Sequence, residues 1–141
     1  MSTLFTQIIN GEIPGRFVWK DDDVVAFLTI APLAPGHTLV VPRDEISAWT
    51  DAGPGVMEHL MEVAKAIGNV QVGSFGVKRA GLVIAGFEVD HLHLHVFPAN
   101  SMVDFDFTRV DQNPDPQSMD EAAETLRKGL REAGHEQSVP E

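Results

Sequence analysis

The chain has 141 residues, and its 21 Asp and Glu against 10 Lys and Arg give a formal net charge of −11. It contains no Cys, which excludes a disulfide framework, a Cys-ligated metal centre and a Cys nucleophile. The acidity argues against a nucleic-acid backbone or an anionic membrane as a partner, and no apolar run approaches the roughly 20 residues of a membrane span. We therefore expect one cytoplasmic domain that comprises residues 1–141.

The first part of the chain predicts a short helix, a hairpin and a buried strand. Apolar residues at helical spacing lie between Thr3, which can cap a helix, and Gly11, which suits a helix end. Two β-rich runs, Arg16–Lys20 and Val24–Leu28, flank three consecutive Asp residues and predict the hairpin. The apolar run at residues 37–42 predicts the next strand.

The second part predicts a long helix, two further strands and a C-terminal helix. An apolar stripe at i, i+3, i+4 and i+7 indicates the long helix and consists of Met57, Leu60, Met61, Ala64 and Ile67. Val77–Ala85 and His91–Pro98 are the strand candidates, and a capping box at Ser118 and Glu121 begins a helix near Met119–Ala133. Adjacent strand pairs favour an antiparallel sheet with helices packed on it, which is an α+β fold.

The most informative segment is His91–Phe97, where three histidines alternate with apolar residues. Side chains on a strand point alternately to its two faces. We therefore expect the core to receive Leu92, Leu94 and Val96. The opposite face then carries His91, His93 and His95, with about 7 Å between neighbours along the strand.

Three interpretations of this row of imidazoles are open. The row could be the solvent face of an ordinary strand. It could bind zinc, copper or iron, although outer residues about 13 Å apart suit a single ion poorly. It could also carry out nucleophilic catalysis, because a neutral imidazole attacks phosphorus near neutral pH and phosphoryl transfer mainly requires positioning and charge stabilisation. We favour the third interpretation.

The segment resembles the histidine triad motif, His-φ-His-φ-His-φ-φ, where φ is apolar. Residues 27–42, which include His37, resemble the upstream block of that family, and Leu4–Pro14 resembles its N-terminal block. The chain is therefore identified as a member of the HIT family over residues 4–98, most similar to its small nucleotide-binding branch, with a C-terminal loop and helix at 99–141. The resemblance implies the HIT fold, with an antiparallel sheet of about five strands, one long central helix and short N- and C-terminal helices.

The resemblance also implies a nucleotide hydrolase or transferase. The middle histidine, here His93, would attack the α-phosphate of a nucleoside phosphoramidate or related nucleotide, and water would then release the nucleoside monophosphate from the covalent intermediate. His95 would contact the phosphate and the leaving group, His91 would support the nucleophile, and His37 would lie beside them. Hydrolysis of diadenosine polyphosphates and nucleotide binding with little catalysis are the alternatives.

The same resemblance implies how a purine nucleotide would be held. An apolar base pocket would be lined by Leu4, Phe5, Ile8, Phe27 and Ile30, each of which also fits ordinary core. Thr29 occupies the position of the Asp that binds the ribose in relatives. Residues 86–89 replace the family's phosphate-binding Gly-Gln-x-Val, and we expect Gly86, Glu88 and Val89 to lie at the phosphate.

One further departure and one further implication complete the comparison with the family. Many bacterial relatives bind structural zinc through two Cys and a His, whereas the corresponding residues here are Thr3, Thr6 and Glu45. We therefore predict that the chain binds no metal and needs no cofactor. The resemblance implies a homodimer with Val77–Ala85 and the long helix at the interface. The acidic stretch Asp104–Asp115 is expected to be a solvated loop, and a loop near the mouth of the site is the alternative.

Overall fold

The computed structural model describes residues 2–140, which form a five-stranded antiparallel sheet with α-helices on both faces. The strands are β1 (Phe17–Lys20), β2 (Val24–Leu28), β3 (Thr38–Pro42), β4 (Arg79–Val83) and β5 (Leu94–Ala99). The α-helices are α1 (Leu4–Ile9), α2 (Pro54–Phe75) and α3 (Pro116–Leu130). The predicted α+β class and the long central helix are confirmed. Within residues 2–140, none of the helices combines the length and apolar content that a bilayer span requires.

The order of the strands is β1-β2-β3-β5-β4, and each neighbouring pair is antiparallel. β1 and β2 form the predicted hairpin around Asp21, whose carboxylate accepts the backbone N–H groups of Asp23 and Val24 at 2.9 and 2.8 Å. The same carboxylate accepts the indole N–H of Trp19 at 2.8 Å and lies 2.7 Å from Nε2 of His59 on α2. The hairpin turn is thus tied to the helical layer, and β5 lies inside the sheet between β3 and β4.

The two faces of the sheet bury different clusters. α2 and α3 cover one face, where the larger core receives, as predicted, Leu92, Leu94 and Val96. The other face carries α1 and a smaller cluster formed by Phe5, Ile8, Val25, Phe27, Leu39 and Val41. The alternation in the histidine segment therefore points its apolar residues toward α2 and its histidines toward α1.

The buried stripe of α2 is rotated relative to the predicted stripe. Leu60 and Ile67 are fully buried as expected, but Met61 is 45% exposed. Val63 and Val70 are buried in its place. The reason is that α2 packs against the sheet on one side and against α3 on another, so its apolar face extends around the helix.

β5 starts three residues later than the sequence predicts, at Leu94. β3 and β5 pair as far as Val40 opposite Leu94. Two residues further in this register, Leu92 would lie opposite Pro42, which has no N–H to donate. Leu92 instead donates its N–H to the carbonyl of Ile46 at 2.6 Å. The first two histidines of the row therefore lie in an irregular segment that precedes the strand.

The C-terminal helix also begins earlier than predicted. The expected capping box at Ser118 is wrong, because Asp115 is the N-cap and its carboxylate accepts the N–H of Ser118 at 3.0 Å. Pro116 follows in the first turn, where its missing N–H costs nothing. The predicted Thr3 cap of α1 is confirmed, since its hydroxyl accepts the N–H of Thr6 at 3.1 Å.

Candidate active site

Four histidines from distant parts of the chain meet on the α1 side of the sheet. His37 precedes β3, His95 lies on β5, and His91 and His93 lie just before β5. The exposed fractions of His37, His91 and His93 are 1, 0 and 5%, and His95 is partly exposed. Ring centroids are 5.2 Å apart for His37 and His95, and 5.0 Å apart for His93 and His95. The pairing of β3 with β5 brings these side chains together.

The hydrogen bond of His93 determines which of its nitrogens is free. Its Nδ1 lies 2.7 Å from the backbone carbonyl oxygen of His91. A carbonyl oxygen only accepts, so Nδ1 must carry the hydrogen. In the neutral ring, Nε2 then keeps its lone pair, which is the state that a nucleophilic imidazole requires.

A second chain of hydrogen bonds sets the tautomers of His37 and His95. The N–H of Leu33 donates to Nδ1 of His37 at 2.9 Å, so that nitrogen carries no hydrogen. Nε2 of His37 therefore carries the hydrogen in the neutral ring, and it donates to Nδ1 of His95 at 3.0 Å. The neutral His95 ring then carries its own hydrogen on Nε2. The site pairs an acceptor, Nε2 of His93, with a donor, Nε2–H of His95.

Burial keeps these rings neutral. Desolvation lowers the pKa of His37 from 6.5 to about 3, with a smaller contribution from His95. Desolvation also lowers the pKa of His95 to about 4, and the neighbouring His93 adds to the effect. The pKa of His93 is lowered by desolvation, which the His91 carbonyl and the Glu88 carboxylate only partly offset. Near neutral pH the lone pair on Nε2 of His93 is therefore available for chemistry.

The segment between β5 and α3 supplies a residue that the sequence reasoning missed. The expected solvated loop forms two short 3₁₀ turns within residues 102–109. The ring of Phe107 lies 5.0 Å from that of His95 and 6.2 Å from that of His37, measured between centroids. Phe107 is thus a wall of the site and helps to desolvate both rings. The sequence feature that could have indicated this role is the pair Phe105 and Phe107 within an otherwise acidic stretch.

The residues expected to line a base pocket fall into two groups. The smaller core cluster buries Phe5, Ile8 and Phe27. Of these, Phe5 contacts the site directly, since its ring packs edge-on against His93 with 4.9 Å between centroids. Leu4 and Ile30 are 44 and 78% exposed. Phe5 packs against the nucleophile with Ile8 and Phe27 in the same cluster, whereas Leu4 and Ile30 present apolar surface to solvent.

Thr29, at the expected ribose position, has part of its hydrogen-bonding capacity engaged. It is partly buried, and its hydroxyl oxygen accepts the N–H of Ala31 at 3.2 Å. The hydroxyl hydrogen remains for a single bond to a ligand, whereas a carboxylate would accept two hydroxyl groups. The structure therefore offers a weaker contact to a ribose than an Asp would.

The loop at residues 86–89 borders a cavity of about 220 Å³ beside His93. Gly86 has a φ of +87°, a left-handed conformation that glycine adopts without strain. Phe87 lines the cavity and is 98% exposed, while Glu88 is exposed and Val89 packs against the smaller core cluster. Glu88 is negative and residues 86–89 carry no side-chain donor, so this loop offers an anion only its backbone N–H groups.

Thr3, Thr6 and Glu45, which the resemblance relates to zinc ligands, also come together. Glu45 Oε2 accepts the N–H of Thr3 at 2.6 Å and the hydroxyl of Thr6 at 2.9 Å, and Thr3 Oγ1 lies 2.7 Å from Nδ1 of His91. Neutral hydroxyls are not among the usual zinc ligands, which are thiolate, imidazole and carboxylate, and both His91 nitrogens are hydrogen-bonded. These residues do not fit a zinc centre. Across residues 2–140, no group of three or more His, Asp or Glu side chains is arranged to hold a metal ion.

The antiparallel α+β fold and the four clustered histidines define the class of this protein as a histidine triad protein. The family model of the HIT domain matches residues 10–102. A HIT-like protein of Borreliella burgdorferi is 36% identical over 113 residues, which cover 75% of this chain and 81% of that protein. The chain belongs to the HIT domain family.

Solved structures agree with this assignment. The zinc-bound histidine triad family protein of Mycobacterium smegmatis superposes with a TM-score of 0.79 at 25% identity, over 94% of this chain and 96% of that one. A HIT family hydrolase of Legionella pneumophila superposes with a TM-score of 0.60 at 30% identity, over 72% of this chain and 96% of that one. These likenesses confirm the predicted HIT fold.

Proposed function

We propose that the protein is a nucleotide hydrolase or transferase that acts on the α-phosphate of nucleoside phosphoramidates, with His93 as the nucleophile. The observation that carries the proposal is the 2.7 Å bond from Nδ1 of His93 to the His91 carbonyl, which leaves Nε2 as the free nitrogen of a buried, neutral ring. The likeness to the HIT family hydrolase of Legionella pneumophila supports hydrolysis as the class of reaction.

In the first step, Nε2 of His93 bonds to the α-phosphorus while the bond from phosphorus to the leaving nitrogen breaks. The electron pair of that bond stays with the amine, which needs a proton. The amine takes this proton from solvent, and Nε2–H of His95 donates a hydrogen bond to the phosphoryl group. The positive charge on the nucleotidylated His93 ring is stabilised by the His91 carbonyl.

In the second step, water attacks the phosphorus and the bond to Nε2 of His93 breaks. The electron pair returns to Nε2, and the proton lost by water passes to solvent. The product is the nucleoside monophosphate, and the enzyme is back in its starting state. An alcohol or amine in place of water would make the same reaction a transfer.

Charge favours substrates with a single phosphate. Glu88 lies close enough to His93 to act on its pKa, and the chain as a whole carries a formal charge of −11. Each added phosphate increases repulsion from this field. The cavity lined by Phe87 and Trp49 beside His93 offers space for an uncharged leaving group. We therefore place phosphoramidates ahead of diadenosine polyphosphates.

The proposal is tested with adenosine phosphoramidate, by following release of the monophosphate and by mass spectrometry of the acid-quenched protein. We expect turnover and a nucleotidyl adduct on His93, both lost in His93→Ala. His59→Gln, a histidine variant on the other face of the sheet, serves as the matched control and should retain both. Turnover no greater than that of His93→Ala contradicts the proposal. Calorimetric binding of the monophosphate without an adduct would instead indicate a nucleotide-binding module.

We also propose that the protein is a homodimer. β4 is an edge strand, and such a strand presents unpaired N–H and C=O groups to a second chain. Leu82 on β4 and Met61 on α2 are 40 and 45% exposed, and a groove of about 370 Å³ runs between these two elements. Pairing of two β4 strands would cover this surface.

Finally, we propose that the enzyme works in the cytoplasm on a purine nucleotide, without zinc or another cofactor. The hydroxyl groups of Thr3 and Thr6 support the last point, because they replace better zinc ligands with hydrogen-bonding groups. Elemental analysis of protein purified without a His tag tests it, and a stoichiometric metal would contradict it. Calorimetry with purine and pyrimidine monophosphates tests the base preference.

A further inference from the structure

A hydrogen-bond network outside the reacting rings joins the start of α1 to His91. Glu45, in the β3–α2 connection, accepts the N–H of Thr3 at 2.6 Å and the hydroxyl of Thr6 at 2.9 Å. The hydroxyl oxygen of Thr3 accepts the N–H of Thr6 at 3.1 Å and lies 2.7 Å from Nδ1 of His91. We call Thr3, Thr6 and Glu45 the α1 clamp.

The donors and acceptors around His91 follow from its second contact. Nε2 of His91 lies 2.8 Å from the carbonyl oxygen of Pro42, which can only accept. In the neutral ring the hydrogen is therefore on Nε2, and Nδ1 accepts the hydroxyl hydrogen of Thr3. The competing acceptor, Oγ1 of Thr6, is more distant at 3.2 Å. His91 is 0% exposed, so loss of the Thr3 hydroxyl leaves a buried nitrogen without a partner.

The same residue supplies the carbonyl that orients the nucleophile. The His91 carbonyl accepts the Nδ1–H of His93 at 2.7 Å. The side chain of His91 is thus held by the surrounding residues, while its backbone carbonyl holds His93. The surrounding backbone is tied to the β3–α2 connection independently, by the bond from Leu92 N–H to the Ile46 carbonyl at 2.6 Å. The hydroxyl of Ser47 adds a bond to the carboxylate of Asp90. The α1 clamp adds a bond to Nδ1 of the His91 ring, whose Nε2 is held by the Pro42 carbonyl.

We propose that Thr3 and Glu45 are positioning residues for the nucleophile, a role that rests on the proposed function. Thr3 donates to Nδ1 of the His91 ring, whose Nε2–H donates to the Pro42 carbonyl. The ring, held at both nitrogens, fixes the backbone unit whose carbonyl accepts from Nδ1 of His93. Glu45 accepts hydrogen bonds from the N–H of Thr3 and from the hydroxyl of Thr6. The hydroxyl hydrogen of Thr3 therefore remains for the His91 ring.

Helix capping alone does not account for this arrangement. An N-cap needs only an oxygen that accepts, and Ser, Thr and Asp all serve. Donation to His91 additionally needs a hydroxyl hydrogen. Thr3→Ser retains both properties, Thr3→Asp retains the cap but has no hydrogen to donate when ionised, and Thr3→Val loses both. Glu45→Ala removes the anchor while it leaves both threonines in place.

The variants are compared by single-turnover nucleotidylation of His93 with adenosine phosphoramidate. We expect Thr3→Ser to stay within about twofold of the wild-type rate. Thr3→Asp, Thr3→Val and Glu45→Ala should lower the rate constant of nucleotidylation by about tenfold or more and leave the half-saturating substrate concentration nearly unchanged, because a small misplacement of a nucleophile slows the chemical step without loss of binding. Asp115→Ala, which removes the N-cap of α3 on the opposite face of the sheet, controls for a general loss of stability and should keep the wild-type rate.

A second readout uses the ¹H–¹⁵N correlations of the imidazole rings, which show which nitrogen carries the hydrogen. We expect the hydrogen on Nε2 of His91 and on Nδ1 of His93 in the wild type, Thr3→Ser and Asp115→Ala. In Thr3→Asp and Glu45→Ala, His93 should populate both tautomers. Wild-type rates and tautomers in these two variants overturn the proposal, as does an equal loss of rate in Asp115→Ala.

The two readouts keep this proposal separate from the proposed function. If the wild-type protein forms no adduct, the proposed function fails, and the tautomer of His93 alone decides whether the α1 clamp positions it. If Thr3→Val does not fold, Thr3→Asp and Glu45→Ala supply the comparison, because the first keeps the cap of α1 and the second leaves Thr3 unchanged.

Discussion

Buried, neutral histidines make the stability of this protein sensitive to mild acid. The folded-state pKa values of His37 and His95 lie below the ordinary value of 6.5. The unfolded chain therefore binds protons between about pH 6.5 and pH 4 that the folded chain does not. The contribution of the two rings to stability is complete above the ordinary pKa, and the free energy of unfolding falls as the pH falls through this window.

The size of the loss follows from the two pKa values. Burial lowers the pKa to about 3 in His37 and about 4 in His95, so at pH 5 both rings are neutral in the folded chain and protonated in the unfolded chain. Between pH 6.5 and pH 5 each ring lowers the free energy of unfolding by about 1.36 kcal/mol per pH unit, which amounts to about 2 kcal/mol over about 1.5 units. The pair costs about 4 kcal/mol, an upper value because His95 is partly exposed and solvent screens it. Proteins of this kind are typically stable by about 5–15 kcal/mol.

Urea denaturation at pH 7, 6 and 5 measures this loss. His37→Gln and His95→Gln each remove one titrating ring, so each variant should lose about 2 kcal/mol less than the wild type between pH 7 and pH 5. Ile67→Val is the matched control, because it removes one methylene from a fully buried side chain and changes no titrating group. It should lower the free energy of unfolding by about 0.5–1.5 kcal/mol equally at each pH.

Carboxyl groups contribute in a different window. The pKa of Glu45 is lowered chiefly by the Thr3 N–H, and that of Asp106 chiefly by the Thr108 hydroxyl. Their contribution is present above the ordinary carboxyl pKa of about 4 and is lost only below it. The overall charge repulsion also changes with pH, but it changes almost equally in the wild type and the variants, so it cancels when their unfolding free energies are compared at the same pH. An unfolding free energy that is the same at pH 7 and pH 5, or a wild-type slope in His37→Gln, would refute this reasoning.

Three further predictions concern the walls and edges of the fold. Phe107→Ala should admit water to His95 and raise its pKa toward 6.5, measured by NMR titration of the ring; an unchanged pKa contradicts the assignment of Phe107 as a desolvating wall. Gly81→Ala should cost about 1–3 kcal/mol of stability in urea, because the added Cβ would lie 2.6 Å from the ring of Phe97; wild-type stability would show that the ring moves aside freely. Leu82→Glu places a charge on the edge strand and should convert the proposed dimer to a monomer in light scattering; a wild-type monomer contradicts the dimer itself.

Local pattern was sufficient for most elements of the fold. The hairpin was predicted within one residue, because an Asp carboxylate that accepts nearby N–H groups makes the turn without help from the rest of the chain. Thr3 as the cap of α1 was correct for the same reason. The start of α3 was wrong because Asp115 and Ser118 both have side chains suited to an N-cap, and local preference does not choose between overlapping caps.

The site was predicted less completely. The two-residue alternation of His91–Val96 was enough to separate core from site, although β5 begins only at Leu94. That boundary depends on Pro42 and Ile46, which meet the segment only in the folded sheet. Phe107 was missed because nothing in a loop's composition says which ring it will contact.

The sequence by itself therefore determined the fold class, the face on which the histidines lie and the identity of the candidate nucleophile, because periodicity and motif are properties of neighbouring residues. The tertiary structure decided which nitrogen carries the hydrogen in the rings of His95 and His91. Those tautomers depend on the bonds of these rings to His37 and to Pro42, across 58 and 49 positions of the chain. Contacts of this range form only when the sheet brings the segments together, and the chemistry of the site depends on them.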